Sequence, residues 1–399
     1  MARPAASSIP MWTPDPVWTS REYFLLRLVG NATRSPSSGL PRLLSEFLNK
    51  PLAIGSMQYT CIKALTSSYH SMRAAGPRAC HQAMVAYSHA MRAVSVATQK
   101  PYRGIEPDVL MSIMCLCLYE NIVVTAPRSW IQHYIGVSRL IAMHGPAHYK
   151  SGINRDILLA FRYNIIISAG TLRQPCFLAQ PAWREAIELN EAESRDIFET
   201  ILNIAVDVPG LLHAQDCLAR RRLPSDSDIF KILKRTMNAL RDWWYTSWTA
   251  CSGDERSSMD TPYGASAIAF HHMLLLLVED LCHRLNVPWL HISPVSPAGV
   301  PTMPHEPPTT SSEDERSQHR HAVATTILHL AQRSIDAETR IYGILRFIMP
   351  LHVAHDYLLP GSAEMHALGH LMNAVMAGQH GFQMARRHDM QYTSFPESL

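Results

Sequence analysis

The sequence predicts an all-α protein, and three observations carry that expectation. Apolar residues recur at three- and four-residue steps in nearly every long segment, strand-like alternation is almost absent, and Gly and Pro gather where those segments end. A chain of 399 residues that is 47% hydrophobic and 17% charged has the apolar surface for a large core, with helices buried on more than one face. The expected architecture is a large multi-helix bundle or array of about 12–14 helices. An irregular Pro-rich arm over 1–20 precedes a single helical domain over 21–399.

In chain order, helices are expected at roughly 20–30, 41–49, 52–74, 78–98, 106–124, 128–144, 153–172, 192–222, 225–250, 261–286, 319–337, 340–357 and 361–388. Gly76-Pro77 separates the third from the fourth, Lys100-Pro101 stops the fourth, and Pro127 opens the sixth near its first turn. Within 106–124, Val109, Leu110, Ile113, Met114, Cys117 and Leu118 recur at helical steps, so that helix buries a broad face. Gly145-Pro146 ends the helix over 128–144: glycine tolerates the left-handed turn after a last helical residue, and proline cannot continue the ladder. In "LRDWWYTSW", Trp244 and Trp248 share a helical face beside Trp243; the face is core, or else lines a cavity for a flat or apolar ligand. The stretch 291–318, crowded with Pro, Ser and Thr and closing on acids, reads as a mobile solvated loop. Its alternative use is phosphorylation at Ser311 or Ser312, beside Glu313 and Asp314.

Charge and cysteine usage narrow the function classes. The net charge is +3 with 21 histidines neutral, and Lys occurs only six times, so no dense basic tract marks a nucleic-acid surface. Arg220-Arg221-Arg222 reads as a solvated helix end suited to the helix dipole. The eight cysteines form no CxxC pair, which signals neither a structural zinc site nor a redox dithiol. The N-terminus lacks the apolar segment of a secretory signal. The apolar run "AIAFHHMLLLLVEDLCHRL" carries three His, Glu279 and Asp280 and fits a buried helix, with no membrane span expected. An intracellular, reduced protein is the expectation.

Metal and cofactor signatures are weak or missing. His366 and His370 stand four apart, and His352 and His355 three apart beside Asp356, but no HExxH motif supplies a Glu between the first pair. Among 21 histidines such pairs arise by chance, so no metal and no cofactor are expected. There is no GxxxxGK[ST], no GxGxxG after a strand and no GxSxG elbow. Glu279-Asp280 and "NEAESRDIFE" lack the doubled-Asp spacing of a Mg²⁺ motif, and Glu279-Asp280 reads as the solvent-facing strip of a half-buried helix.

The order of segments resembles the fungal-specific transcription factor domain, the helical middle and C-terminal region of fungal zinc-cluster regulators. Tyr119-Glu120, Trp130, Gly136, Gly145-Pro146, Phe177-Leu178-Ala179 and Trp183 occupy that family's motif positions. The likeness runs over about 55–390 and is most specific over 105–185; His144 stands where the family commonly has arginine. The six-cysteine zinc cluster and basic linker that normally stand at the N-terminus are absent. The resemblance implies a nuclear transcriptional regulator or co-regulator, with the cytoplasm as the alternative location. It would serve a fungal secondary-metabolite gene cluster through protein contacts, with a DNA-binding regulator or a second copy as partner. A small apolar effector among the helices and no sequence-specific DNA binding of its own complete that expectation. The alternative is a cyclase- or isomerase-like enzyme on the same scaffold, for which Glu120, His133, His271, His272 and Glu279 are the candidate catalytic residues. A structural helical protein without a ligand is the third reading.

Overall fold

The computed structural model describes residues 16–29, 39–74, 77–99, 106–190, 193, 196–219, 227–250, 262–287, 313–335 and 341–386. The first half comprises α1 (Pro16–Val29), α2 (Gly39–Asn49), α3 (Met57–Ala74), α4 (Pro77–Thr98), α5 (Pro107–Val123), α6 (Ser129–His144), α7 (Gly152–Thr171) and α8 (Pro181–Ala186). The second comprises α9 (Ile197–Ala205), α10 (Val208–Ala219), α11 (Ser227–Ala250), α12 (Pro262–Arg284), α13 (Glu313–Ser334), α14 (Ile341–Tyr357) and α15 (Ala363–His370). No strand occurs among the described residues. The fold is all-α, as the periodicity implies.

Two helices buried nearly all round organise the core. α5 buries every residue from Val109 to Ile122, which its run of Leu, Ile, Met and small thiols permits. α2, α3, α4, α6 and α7 enclose it. α12 buries Gly264 to Ala267 and Ala269 to Glu279, and it is wrapped by α9, α10, α11, α13 and α14. Length and hydropathy would let α12 cross a membrane, but 83% of its most apolar window is buried inside the protein, which is the signature of a core helix. α7 joins the two halves, packing on α2, α5 and α6 and on α9 and α10.

The structure departs from the expected boundaries in several places. α1 starts at Pro16, inside the arm expected to be irregular up to residue 20, and α8 forms at Pro181–Ala186, where no helix was expected. The single helix expected over 192–222 is two, because Pro209 has no N–H for the Ala205 carbonyl and the ladder breaks at Val206-Asp207. The segment 361–388 divides into α15, a π-helical stretch Leu371–Gln379 and a 3₁₀ turn Gln383–Ala385. The loop expected to reach 318 ends by 312, since α13 begins at Glu313. Glu313, Asp314 and Glu315 fill its first turn, where the helix dipole favours acids. The arm up to residue 15, Arg220, Arg221, Arg222, Cys251, the side chain of Trp248, and the loop up to 312 with Ser311 and Ser312 lie outside the described residues.

Candidate functional site

Glu120 is 1% exposed, and both its oxygens are taken. Oε1 accepts from Tyr87 Oη at 2.5 Å and Thr125 Oγ1 at 2.7 Å, while Oε2 accepts from the Thr125 N–H at 3.0 Å and from Ser129 Oγ. Four donors thus stabilise one buried carboxylate and tie together α4, α5, the α5–α6 turn and the first residue of α6. His133 Nε2 lies 2.8 Å from Tyr87 Oη and 3.9 Å from Glu120 Oε1. With the Tyr87 proton directed at Glu120, His133 is the donor in that contact. Burial pushes His133 below the ordinary histidine pKa against the opposing pull of Glu120, and burial with Glu120 pushes the Tyr87 phenol up. Such a group crosslinks helices; a general base would need an oxygen left for substrate.

The Gly145-Pro146 turn organises an aromatic cluster. Gly145 has φ 72 and ψ 162, so its φ is positive but its conformation is the glycine-only extended region rather than the left-handed helical one expected. The chain then makes a 3₁₀ turn Pro146–Tyr149 that buries Tyr149 against Trp183, with ring centroids 5.8 Å apart. Phe177 meets Trp183 edge-on at 4.8 Å. Of the positions that carried the resemblance, Phe177 and Trp183 are therefore neighbours in space, and the turn at Gly145-Pro146 brings Tyr149 to them.

The remaining candidates fall in two further places. His271 and His272 stand on α12 beside α11. The His271 ring lies nearly parallel to Trp243 at 5.0 Å and to Trp244 at 5.6 Å, and its Nε2 donates to the Leu240 carbonyl at 3.0 Å. Burial, with His272 adding, pushes His271 down to about 3, so it is a neutral packing ring at ordinary pH. Glu279 lies two turns further along α12. It is 6% exposed, not on a solvent-facing strip, because α13 packs along α12 and brings His319 Nδ1 and Arg320 Nε each to 3.1 Å from its oxygens. The structure therefore joins Glu120 with His133, and His271 with His272, but separates these pairs from each other and from Glu279.

The paired histidines are used locally. His366 Nδ1 lies 2.8 Å from the Ser362 carbonyl and His352 Nε2 lies 3.1 Å from that of Met384. Among the described residues no group of three or more His, Cys, Asp or Glu gathers around a common point. Sequence reasoning passed over Tyr87, Thr125, Ser129 and the fully buried Arg162 and Arg346, for which no motif or spacing gives a signal. The Arg346 guanidinium lies over Phe198 at 3.7 Å and over Tyr263 at 4.2 Å. Arg162 donates to Asn203 Oδ1 and to the Glu199 carbonyl, joining α7 to α9.

On this all-α scaffold Glu120 is a buried polar pin, and Gly145, Phe177 and Trp183 belong to the turn and its aromatic cluster; all four are positions that carried the resemblance. Residues 40–244, from α2 to Trp244 on α11, match the fungal specific transcription factor domain, and the chain belongs to that family. It is similar to Uncharacterized protein AN5342 of Emericella nidulans, 23% identical over 223 residues, which cover 52% of this chain and 48% of the relative. The chain thus spans about half the length of the curated relative it matches. No solved structure matches it.

Proposed function

We propose that this chain is a fungal transcriptional regulator or co-regulator, serving a secondary-metabolite gene cluster from the nucleus through contacts with other proteins. Family membership over 40–244 is the observation that carries this reading. The polar residues an enzyme would need support it, because they are spent on holding helices together: Glu120 on Tyr87, Thr125 and Ser129, and Glu279 on His319 and Arg320. The outer surface of α4 adds support for protein contacts. It exposes Met84, Val85, Met91 and Val96 on a helix that has Arg92 and no Asp or Glu. An apolar, acid-free face suits an acidic partner protein better than a second copy carrying the same charge.

The test is deletion of the gene in its own fungus, reading transcripts and metabolites together and locating a tagged copy. A regulator changes the transcripts of a set of genes, with their product lost or raised and the tag in the nucleus. Unchanged transcripts together with one accumulating intermediate would point to an enzyme instead.

A further inference from the structure

Two cavities lie on either side of Ile167 and Met349, which line both. One, of about 30 Å³, is bounded by Asn121, Asn164, Tyr134 and Arg346 among apolar neighbours. Asn121 is 4% exposed, and its Oδ1 has no hydrogen-bond partner in the protein. A buried amide oxygen without a donor is costly to leave so, and it marks a place where something else donates. The other cavity, of about 40 Å³, is walled by apolar side chains of α7, α10, α12 and α14, Phe270 and Leu274 among them. Water can serve the first chamber, whereas the second, apolar and open on one side, offers a water few hydrogen-bond partners.

The wall between them stands where α14 is weakened. Pro350 sits inside that helix and offers no N–H to the Arg346 carbonyl, so one rung is missing where Arg346 and Met349 face the chambers. Met349 is unbranched and can swing aside at little cost.

We propose that the joined chambers bind a small aliphatic alcohol, its hydroxyl at Asn121 and its carbon tail past Met349 in the apolar chamber. The volumes have room for roughly five to seven heavy atoms, taking about 10–15 Å³ for each water-sized group. The hydroxyl donates to Asn121 Oδ1 and turns its oxygen toward the Arg346 guanidinium. A neutral head fits better than a carboxylate, because Glu199 already lies within the field of Arg346. The effector is therefore amphipathic rather than purely apolar. Its consequence for gene control rests on the regulator reading; its binding does not.

The probe is 1-pentanol, titrated into the full chain labelled with ¹³C at the methionine methyls, with Met349 and Met384 as reporters because both line the polar chamber. The expected result is a saturable shift of both methyls whose midpoint rises about tenfold or more in Asn121→Leu, the effect of one lost hydrogen bond. Leu274→Phe, which fills the apolar chamber, should raise the midpoint as well and serves if Asn121→Leu fails to fold. The absence of a saturable shift, midpoints unchanged by these variants, or tighter binding of pentanoate than of pentanol would overturn the proposal. Because the readout is binding, its failure leaves the transcriptional reading untouched.

Discussion

Tyr87 on α4 donates to Glu120 on α5 at 2.5 Å while its ring lies parallel to that of Tyr119, with centroids 4.1 Å apart. One side chain thereby fixes α4 to two successive residues of the most buried helix in the N-terminal half. Tyr87→Phe keeps the stack and loses the bond, and should cost about 1–3 kcal/mol. Glu120→Ala strands Thr125 and Ser129 as well, and should cost roughly 3–5 kcal/mol. Urea unfolding of the two variants checks the order. A Glu120→Ala variant no less stable than Tyr87→Phe would mean that the carboxylate is not the hub.

The Gly145 turn yields a separate prediction. An added Cβ there meets nothing within 4 Å, so a substitution is opposed by backbone conformation alone. With φ 72 and ψ 162, Gly145→Val should lose about 1–3 kcal/mol. Pro146→Ala should lose less than about 1 kcal/mol, since proline there chiefly limits the unfolded chain. Thermal melts decide between them, and equal, negligible shifts would contradict the turn as described.

His271 makes stability depend on pH. Its folded pKa is pushed down to about 3 from 6.5, chiefly by burial, so the unfolded chain binds the extra proton between those values. Stability from this group is complete above pH 6.5 and is lost as pH falls toward 3, by about 1.4 kcal/mol per unit. His271→Phe, which keeps a ring beside Trp243 and Trp244, should flatten that part of the slope. Urea midpoints at pH 7 and pH 5.5 for both proteins test it; the same loss in both would place the titrating group elsewhere.

This chain should show no sequence-specific DNA binding. Base readout needs an element set in a groove by phosphate contacts, and the sequence has neither a six-cysteine cluster nor a dense Lys/Arg tract. Any mobility shift should fade with moderate salt and competitor DNA, as phosphate binding does. A shift that survives both would refute the claim.

Helix positions were legible because the apolar faces repeat at helical steps, and the Gly145-Pro146 stop because glycine and proline have local steric meaning. Partners were not. Glu120 and Tyr87 lie on different helices, and nothing in either helix names the other. Glu279 reads as solvent-facing because nothing in its own helix says that α13 packs there and lays His319 and Arg320 over it. Trp243 and Trp244 are successive residues yet both buried, because His271 inserts beside the pair. Pro209 was visible, but a strongly apolar flanking pattern hid the break it makes. The Asn121 chamber was beyond reach, since a cavity is a property of the assembled core.

Regulation through protein contacts is tested most directly by tethering. The full chain is fused to an unrelated DNA-binding domain and placed at a reporter promoter in a filamentous fungus, with the fusion confirmed in the nucleus. The expected result is a several-fold change in reporter transcript over the DNA-binding domain alone. Reporter transcript indistinguishable from the DNA-binding domain alone, with the fusion folded and bound at the promoter, would contradict it.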